Sequence, residues 1–267
     1  MNTDFPEAGY LYAVSGDDQY FFEAVQSVRS LKDVEPESHA SIVIPSGAST
    51  DAPIRDLFDR VLELKYKEGG DPKQFTVKAM LEKSPYEKNF FLDTDTYFID
   101  SCKSLFEVLD SYEMCIRQSP CDLKQVEGHP FAYTPYNTGV IVYRDDEKVR
   151  GVFMDWIHFM EERDYRRDQP SFMEAIAGKG INIYAIRNNW NARFPFFEAY
   201  SGRVHLLHGR WDNIETVAER INSTEHNRAW IPILESCIHR HMTARDVVEL
   251  VPRVVDGLMR RFFGKRR

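Results

Sequence analysis

The run Asn89 to Asp100, NFFLDTDTYFID, constrains this chain more than any other stretch. Asn89 to Leu92 is aromatic and apolar, as a short buried strand requires, and Ser84-Pro85 supplies a turn before it. The strand runs into Asp93-Thr94-Asp95. In extended backbone, residues i and i+2 project to the same side, so both carboxylates can face one point. Two anions held together at the end of a buried strand repel each other unless a cation lies between them. Hard oxygen ligands suit magnesium or manganese, usually completed by substrate phosphates. The plain alternative is a surface turn, because Asp is common where strands end.

The chain has 267 residues, enough for one large domain. A formal net charge of −8 argues against a general nucleic-acid binder. The four cysteines, Cys102, Cys115, Cys121 and Cys237, form no CxxC pair and no cluster with zinc spacing. Reduced thiols in a cytoplasmic setting are therefore expected. The N-terminal MNTDFPEAGYLYAV has no basic region before an apolar run, so no signal peptide is expected. No stretch approaches 18 uninterrupted apolar residues, about the length of a membrane span.

Read in order, Tyr10 to Val14 is a strand, followed by a turn at Ser15 to Asp18. Phe21, Phe22, Val25, Val28 and Leu31 repeat at helical spacing and predict one buried face. Strands follow at Ala40 to Ile44 and Val61 to Leu64, with a short helix between them over Pro53 to Asp59. Phe75 to Lys83 reads as a helix with Val77, Met80 and Leu81 inward and Lys78 off that face. Ser104 to Leu109 is helical, and Glu113 to Arg117 is a strand. Gln118 to Pro135, with three prolines and a glycine, is a long loop of the kind that carries function. Tyr136 to Tyr143 reads as a turn feeding an apolar strand. Val149 to Arg163 is an amphipathic helix, with Val152, Phe153, Trp156, Phe159 and Met160 inward. Asp168-Gln169-Pro170 opens the next helix, with proline where its missing N–H costs little. Ile181 to Ile186 and Val204 to Leu207 are strands, the second ending His208-Gly209-Arg210. Most of the chain after Asp212 reads as helical. This alternation predicts an α/β fold with a mostly parallel central sheet flanked by helices.

Taken together, Asp93-Thr94-Asp95, Asn137-Thr138-Gly139-Val140, Asp168-Gln169 and His205 to Gly209 resemble a GT-A fold glycosyltransferase that uses nucleotide-diphospho-sugars. The order is most similar to glycosyltransferase family eight, which includes lipopolysaccharide galactosyltransferases and glycogenin-like enzymes. The resemblance implies a single GT-A domain over residues 1–212 and a helical extension with a basic amphipathic tail over 213–267. It implies Mn2+ or Mg2+ on the DxD acids Asp93 and Asp95, completed by His208 or alternatively His205. It implies Ala13, Val14 and Ser15 at the base and ribose, and Lys78 near the sugar or diphosphate. Thr94, Asn137, Thr138, Gly139, Gly209 and Arg210 fall on the remaining donor contacts, with Asp168 and Gln169 lining the sugar pocket as the catalytic pair. The activity implied is transfer of a hexose, from a UDP-linked donor and with retention, to a hydroxyl on a glycan, lipid-linked or protein acceptor.

Each residue also has a plainer reading. Lys78 taken alone is a solvated helix residue, Asn137 and Gly139 can form a turn, and Asp168 can be an N-cap. Asn188 to Asn191, with Trp190, either contact an acceptor sugar or form a polar loop around a buried indole. The C-terminal LMRRFFGKRR reads either as a helix on an anionic membrane surface or as a docking helix with a solvated basic end. Two other functions fit a strand followed by Asp-x-Asp or this fold: a haloacid-dehalogenase-type phosphatase, and a non-catalytic sugar-nucleotide or glycan-binding module. The phosphatase pattern usually carries Thr or Val where Tyr97 stands, and on the first strand.

Overall fold

A computed structural model describes residues 5–16, 18–48, 52–67, 69–119, 134–163, 165, 168–194, 196, 198–210, 214–223 and 226–230. The strands in chain order are β1 Ala8–Ala13, β2 Ala40–Pro45, β3 Arg60–Leu64, β4 Lys88–Leu92, β5 Thr96–Phe98, β6 Met114–Gln118, β7 Tyr136–Arg144, β8 Ile183–Ala185, β9 Ala192–Arg193, β10 Glu198–Tyr200, β11 Leu206–His208 and β12 Arg228–Trp230. The helices are α1 Asp18–Val34, α2 Ala52–Leu57, α3 Pro72–Lys83, α4 Ser104–Val108, α5 Glu147–Glu162, α6 Asp168–Ile176 and α7 Ile214–Ile221, with a 3-10 turn at Asn188–Trp190.

Seven strands form the central sheet in the order β3-β2-β1-β4-β7-β6-β8. Successive residues alternate between its two faces. Tyr10, Tyr12, Phe90, Leu92, Val140 and Val142 enter the core beneath α1 and α2. Leu11, Phe91, Ile141 and Tyr143 enter the opposite core with α3, α5 and α6. Phe90, Phe91 and Leu92 are essentially inaccessible, and each such side chain contributes about 1.5–3 kcal/mol by leaving water. The opening strand of the sequence argument is thus pinned from both faces.

The sheet is mostly parallel, as its pattern predicts; β7 alone runs against the others, antiparallel to both β4 and β6. A strand buried on both faces is apolar at every position whichever way it runs, so its direction leaves no mark in the sequence. The reading of Asn137 to Gly139 as a turn is also corrected, because all three lie inside β7. In α1, Phe22 is 71% exposed rather than buried. The buried stripe runs through Ala24, Ser27, Val28 and Leu31, and Phe22 sits about half a turn around the helix from Ala24. Phe159 and Met160 of α5 are only partly buried.

A smaller sheet, β5-β11-β9, carries the chain from the acid pair to the histidines, and α7 packs on it through Ile214, Val217 and Ile221. The helical reading beyond Asp212 holds for α7, but Arg228–Trp230 is a strand paired antiparallel with β10. The basic tail and most of the Gln118 to Pro135 loop lie outside the described residues.

Candidate active site

β1 lies between β2 on one side and β4 on the other, all parallel. Ligands in open α/β sheets bind beyond the carboxyl ends of strands at such a switch point. A cleft of about 190 Å³ opens there, lined by Ala13, Val14, Ser15, Tyr20, Pro72, Lys73, Thr76, Asp93, Thr94, Asp95 and Arg210. The predicted trio at the end of the first strand and all three residues of the acid motif share this cleft.

Asp93 and Asp95 lie on the bend between β4 and β5 rather than in extended strand. Backbone hydrogen bonds fix the bend at both ends. The Asp93 N–H donates to the Gly139 carbonyl at 2.7 Å, and the Gly209 N–H donates to the Asp95 carbonyl at 2.7 Å. Gly209 has φ +118, a conformation that favours glycine, and it turns the chain from His208 to Arg210. Gly139 sits beside the acids for a different reason: a Cβ there would collide with Asp93 Oδ2 and the His208 ring.

His208 completes the cluster. Its Nε2 lies 3.4 Å from Asp95 Oδ1 and 3.8 Å from Asp93 Oδ2. Asn191 uses its Nδ2 on Asn137 Oδ1 at 3.0 Å, which turns its own Oδ1 to His208 Nδ1 at 2.9 Å. Nδ1 is therefore the donor in that pair. Nε2 is buried with no hydrogen-bond partner, and it faces two carboxylates. A proton or a cation between the three groups satisfies them, and one ligand atom from each lies within 4.8 Å of the others. Two carboxylates and one imidazole with their lone pairs converging fit a divalent metal with positions left for other ligands.

Cations surround the pair. Burial opposes ionisation of Asp93, yet Lys73 at 3.4 Å, with His208 and Arg193, holds it well below the usual carboxylate range. Burial acts likewise on Asp95, and His208, when its Nε2 carries the proton that a metal would replace, outweighs it together with Arg193. Lys73 is in turn held above the usual lysine range, first by Asp93 and then, against burial, by Asp168. Arg210 forms a two-bond pair with Glu23, at 2.7 and 3.1 Å, and its Nη1 lies 3.8 Å from Asp95 Oδ2.

The structure brings together most of the residues marked in the sequence. Thr138 Oγ1 donates to Asp168 Oδ2 at 2.8 Å, joining β7 to the first turn of α6, where Gln169 is half-buried. Thr94 Oγ1 donates to Glu23. Lys78 is not brought in. Its Nζ points to α5, 3.9 Å from Glu161. Lys73, five residues earlier on the same helix, faces Asp93 instead, because positions five apart lie on different faces. His205 is likewise excluded, with Nδ1 on the Ser101 carbonyl at 2.7 Å and its ring stacked on Trp190 at 3.7 Å. Of the polar run beside Trp190, Asn188 and Asn189 cap backbone carbonyls at 199, 201 and 203, so only Asn191 reaches the site. Sequence reasoning missed Lys73, Glu23, Arg193 and the positioning role of Asn191. Arg193 pairs in register with His208, its Nε buried without a hydrogen-bond partner, and burial pulls it below the usual arginine range.

The sheet order and its crossovers are those of the GT-A fold of glycosyltransferases. Among solved structures the chain is similar to the galactosyltransferase LgtC in complex with donor and acceptor sugar analogues, at 13% identity and a TM-score of 0.58, covering 80% of this chain and 94% of LgtC. An active-site mutant of LgtC matches at 14% identity with the same TM-score and coverage. Mouse xyloside xylosyltransferase 1 in its apo form matches at 15% identity and a TM-score of 0.53, covering 76% of this chain and 97% of that one. No family model and no curated protein matches the sequence.

Proposed function

We propose that the protein is a metal-dependent glycosyltransferase that moves a hexose from a UDP-linked donor to a hydroxyl acceptor with retention. The observation that carries this reading is the unpartnered, buried Nε2 of His208 facing Asp93 and Asp95 at the donor end of a GT-A sheet. Asp93, Asp95 and His208 would hold Mn2+ or Mg2+. When bound, such an ion neutralises the charge that develops on a leaving diphosphate.

The chain's own residues do the rest. Ala13, Val14 and Ser15 hold the base and ribose at the end of β1. Lys73 replaces Lys78 as the cation for the sugar or diphosphate, and Arg210 adds a second at the cleft's edge. Asp168, oriented by Thr138, accepts hydrogen bonds from sugar hydroxyls, and Gln169 and Asn137 line the same pocket. The acceptor is a glycan, lipid-linked or protein hydroxyl. The phosphatase and inert-binder readings gain no support, since neither calls for a histidine held in one tautomer beside the acids.

Release of UDP from a panel of UDP-hexoses, with and without manganese, tests the activity. Slow metal-dependent release is expected, and an absence of metal-dependent release across the panel contradicts the proposal.

A further inference from the structure

A second cleft, of about 370 Å³, is lined by both members of the Arg210–Glu23 pair. Its lining comes mainly from α1 and the start of α7 and includes Thr94 and Asp95 of the acid motif. The two clefts thus share Thr94, Asp95 and Arg210, whereas Asp93 lines only the first and Glu23 only the second. Phe22 stands in the second cleft at 71% exposure, the most exposed large hydrophobic side chain among the described residues. Gln19 and Gln26 flank it at i−3 and i+4, on the same face of α1. Gln26 Nε2 donates to Glu215 Oε1 of α7 at 3.2 Å, which ties the walls together.

We propose that this cleft is a second saccharide site, taking one neutral pyranose unit of the acceptor glycan. A pyranose ring presents an apolar C–H face and a rim of hydroxyls. Phe22 offers a flat ring for the face, and the Gln26 amide and Glu215 carboxylate offer donors and acceptors for the rim. Glu23 and Glu215 repel an anionic ligand, and Arg210 is already paired. A lipid or an apolar peptide needs continuous apolar walls, but here only Phe22 and Ile214 are large and apolar. A saccharide held here lies beside Thr94, Asp95 and Arg210, which also line the donor cleft, a placement suited to a further unit of an extended acceptor. The site rests on the glycosyl-transfer reading for calling the saccharide an acceptor, and not for the binding itself.

Saturation-transfer NMR with a panel of methyl hexopyranosides, lactose and maltose, without nucleotide, tests the site. The wild type is expected to transfer saturation to the ring C–H protons of at least one saccharide. Phe22→Ala is expected to weaken that binding about tenfold, the loss of one aromatic contact, and Phe22→Trp to keep it. Because Phe22 is exposed, the variants should melt with the wild type and keep any stabilisation by UDP with manganese. That stabilisation reports separately on the donor site, so its loss in the wild type would fault the transferase reading alone. No saccharide signal in the wild type, an equal signal in Phe22→Ala, or a wild-type dimer that Phe22→Ala dissolves would overturn the proposal.

Discussion

His208 Nδ1 and Asn191 Oδ1 are joined by a buried hydrogen bond of 2.9 Å, and that bond points the opposite ring nitrogen at Asp93 and Asp95. Partners of this kind fix the tautomer and the orientation of a metal-binding histidine. Asn191→Ala is therefore expected to lower manganese affinity about 10- to 100-fold while leaving all three ligands in place. Calorimetric titration of the metal checks this, and an unchanged affinity would remove Asn191 from the support of the site.

Gly139 faces Asp93 across the end of the β4–β7 pair, where the register places Leu92 opposite Val140. An added methyl group meets Asp93 Oδ2 and His208 together. Gly139→Ala should fold, since alanine is tolerated in a strand, but should cost about 100-fold in metal-dependent turnover, as expected when a ligand is displaced by about 1 Å. Turnover within a few-fold of the wild type, at an unchanged melting temperature, would show that the crowding is relieved without moving the acids.

Lys73 and Lys78 separate two readings of one helix. Lys73→Ala is expected to lower kcat/KM about 10- to 100-fold, the loss of one charge-assisted contact. Lys78→Ala should have almost no effect, because its partner Glu161 is exposed. Steady-state kinetics on both variants decide the matter, and the reverse pattern would restore Lys78 to the donor site.

Asp59 gives a pH test of the fold away from the site. Burial opposes its ionisation, but hydrogen bonds from Lys32 Nζ at 2.8 Å and the Ala40 N–H at 2.9 Å hold its folded pKa below the usual carboxylate value. A depressed carboxylate contributes stability that is present above its unfolded pKa, about 4, and is lost as pH falls through the folded value. Asp59→Asn should therefore lose about 0.5–1 kcal/mol at neutral pH, a small figure because the pair is partly exposed. The gap should close in acid below about pH 4. Urea unfolding at both pH values measures it, and a gap that does not change with pH would assign the loss to something other than charge.

What was legible in the sequence follows from two kinds of signal. Apolar runs bounded by turn residues located every strand of the seven-stranded sheet and the helices on its faces, but not the short β5, β9, β10 and β12, and a pair of acids closing such a run pointed to the candidate site. The direction of β7 was hidden, because double burial removes alternation. Phe22 was misplaced because a helical repeat of aromatics looks the same whether one member faces the core or a cleft. Lys73 was overlooked because it lies in the first turn of α3, before the apolar repeat begins. Asn191 and Arg193 carry no local pattern, since their partners lie far away in sequence and meet only through the small β5-β11-β9 sheet. The acid pair announced itself by composition, but its supporting residues are assembled by topology.

The proposed function stands on Asp93, Asp95 and His208 forming a metal site that binds a nucleoside diphosphate. Calorimetric titration of UDP into the protein, with and without manganese, tests it most directly when repeated on Asp95→Ala. Binding is expected only with manganese in the wild type, and no metal-dependent binding in Asp95→Ala. UDP binding of equal strength with and without the metal, or unchanged in the variant, would contradict it.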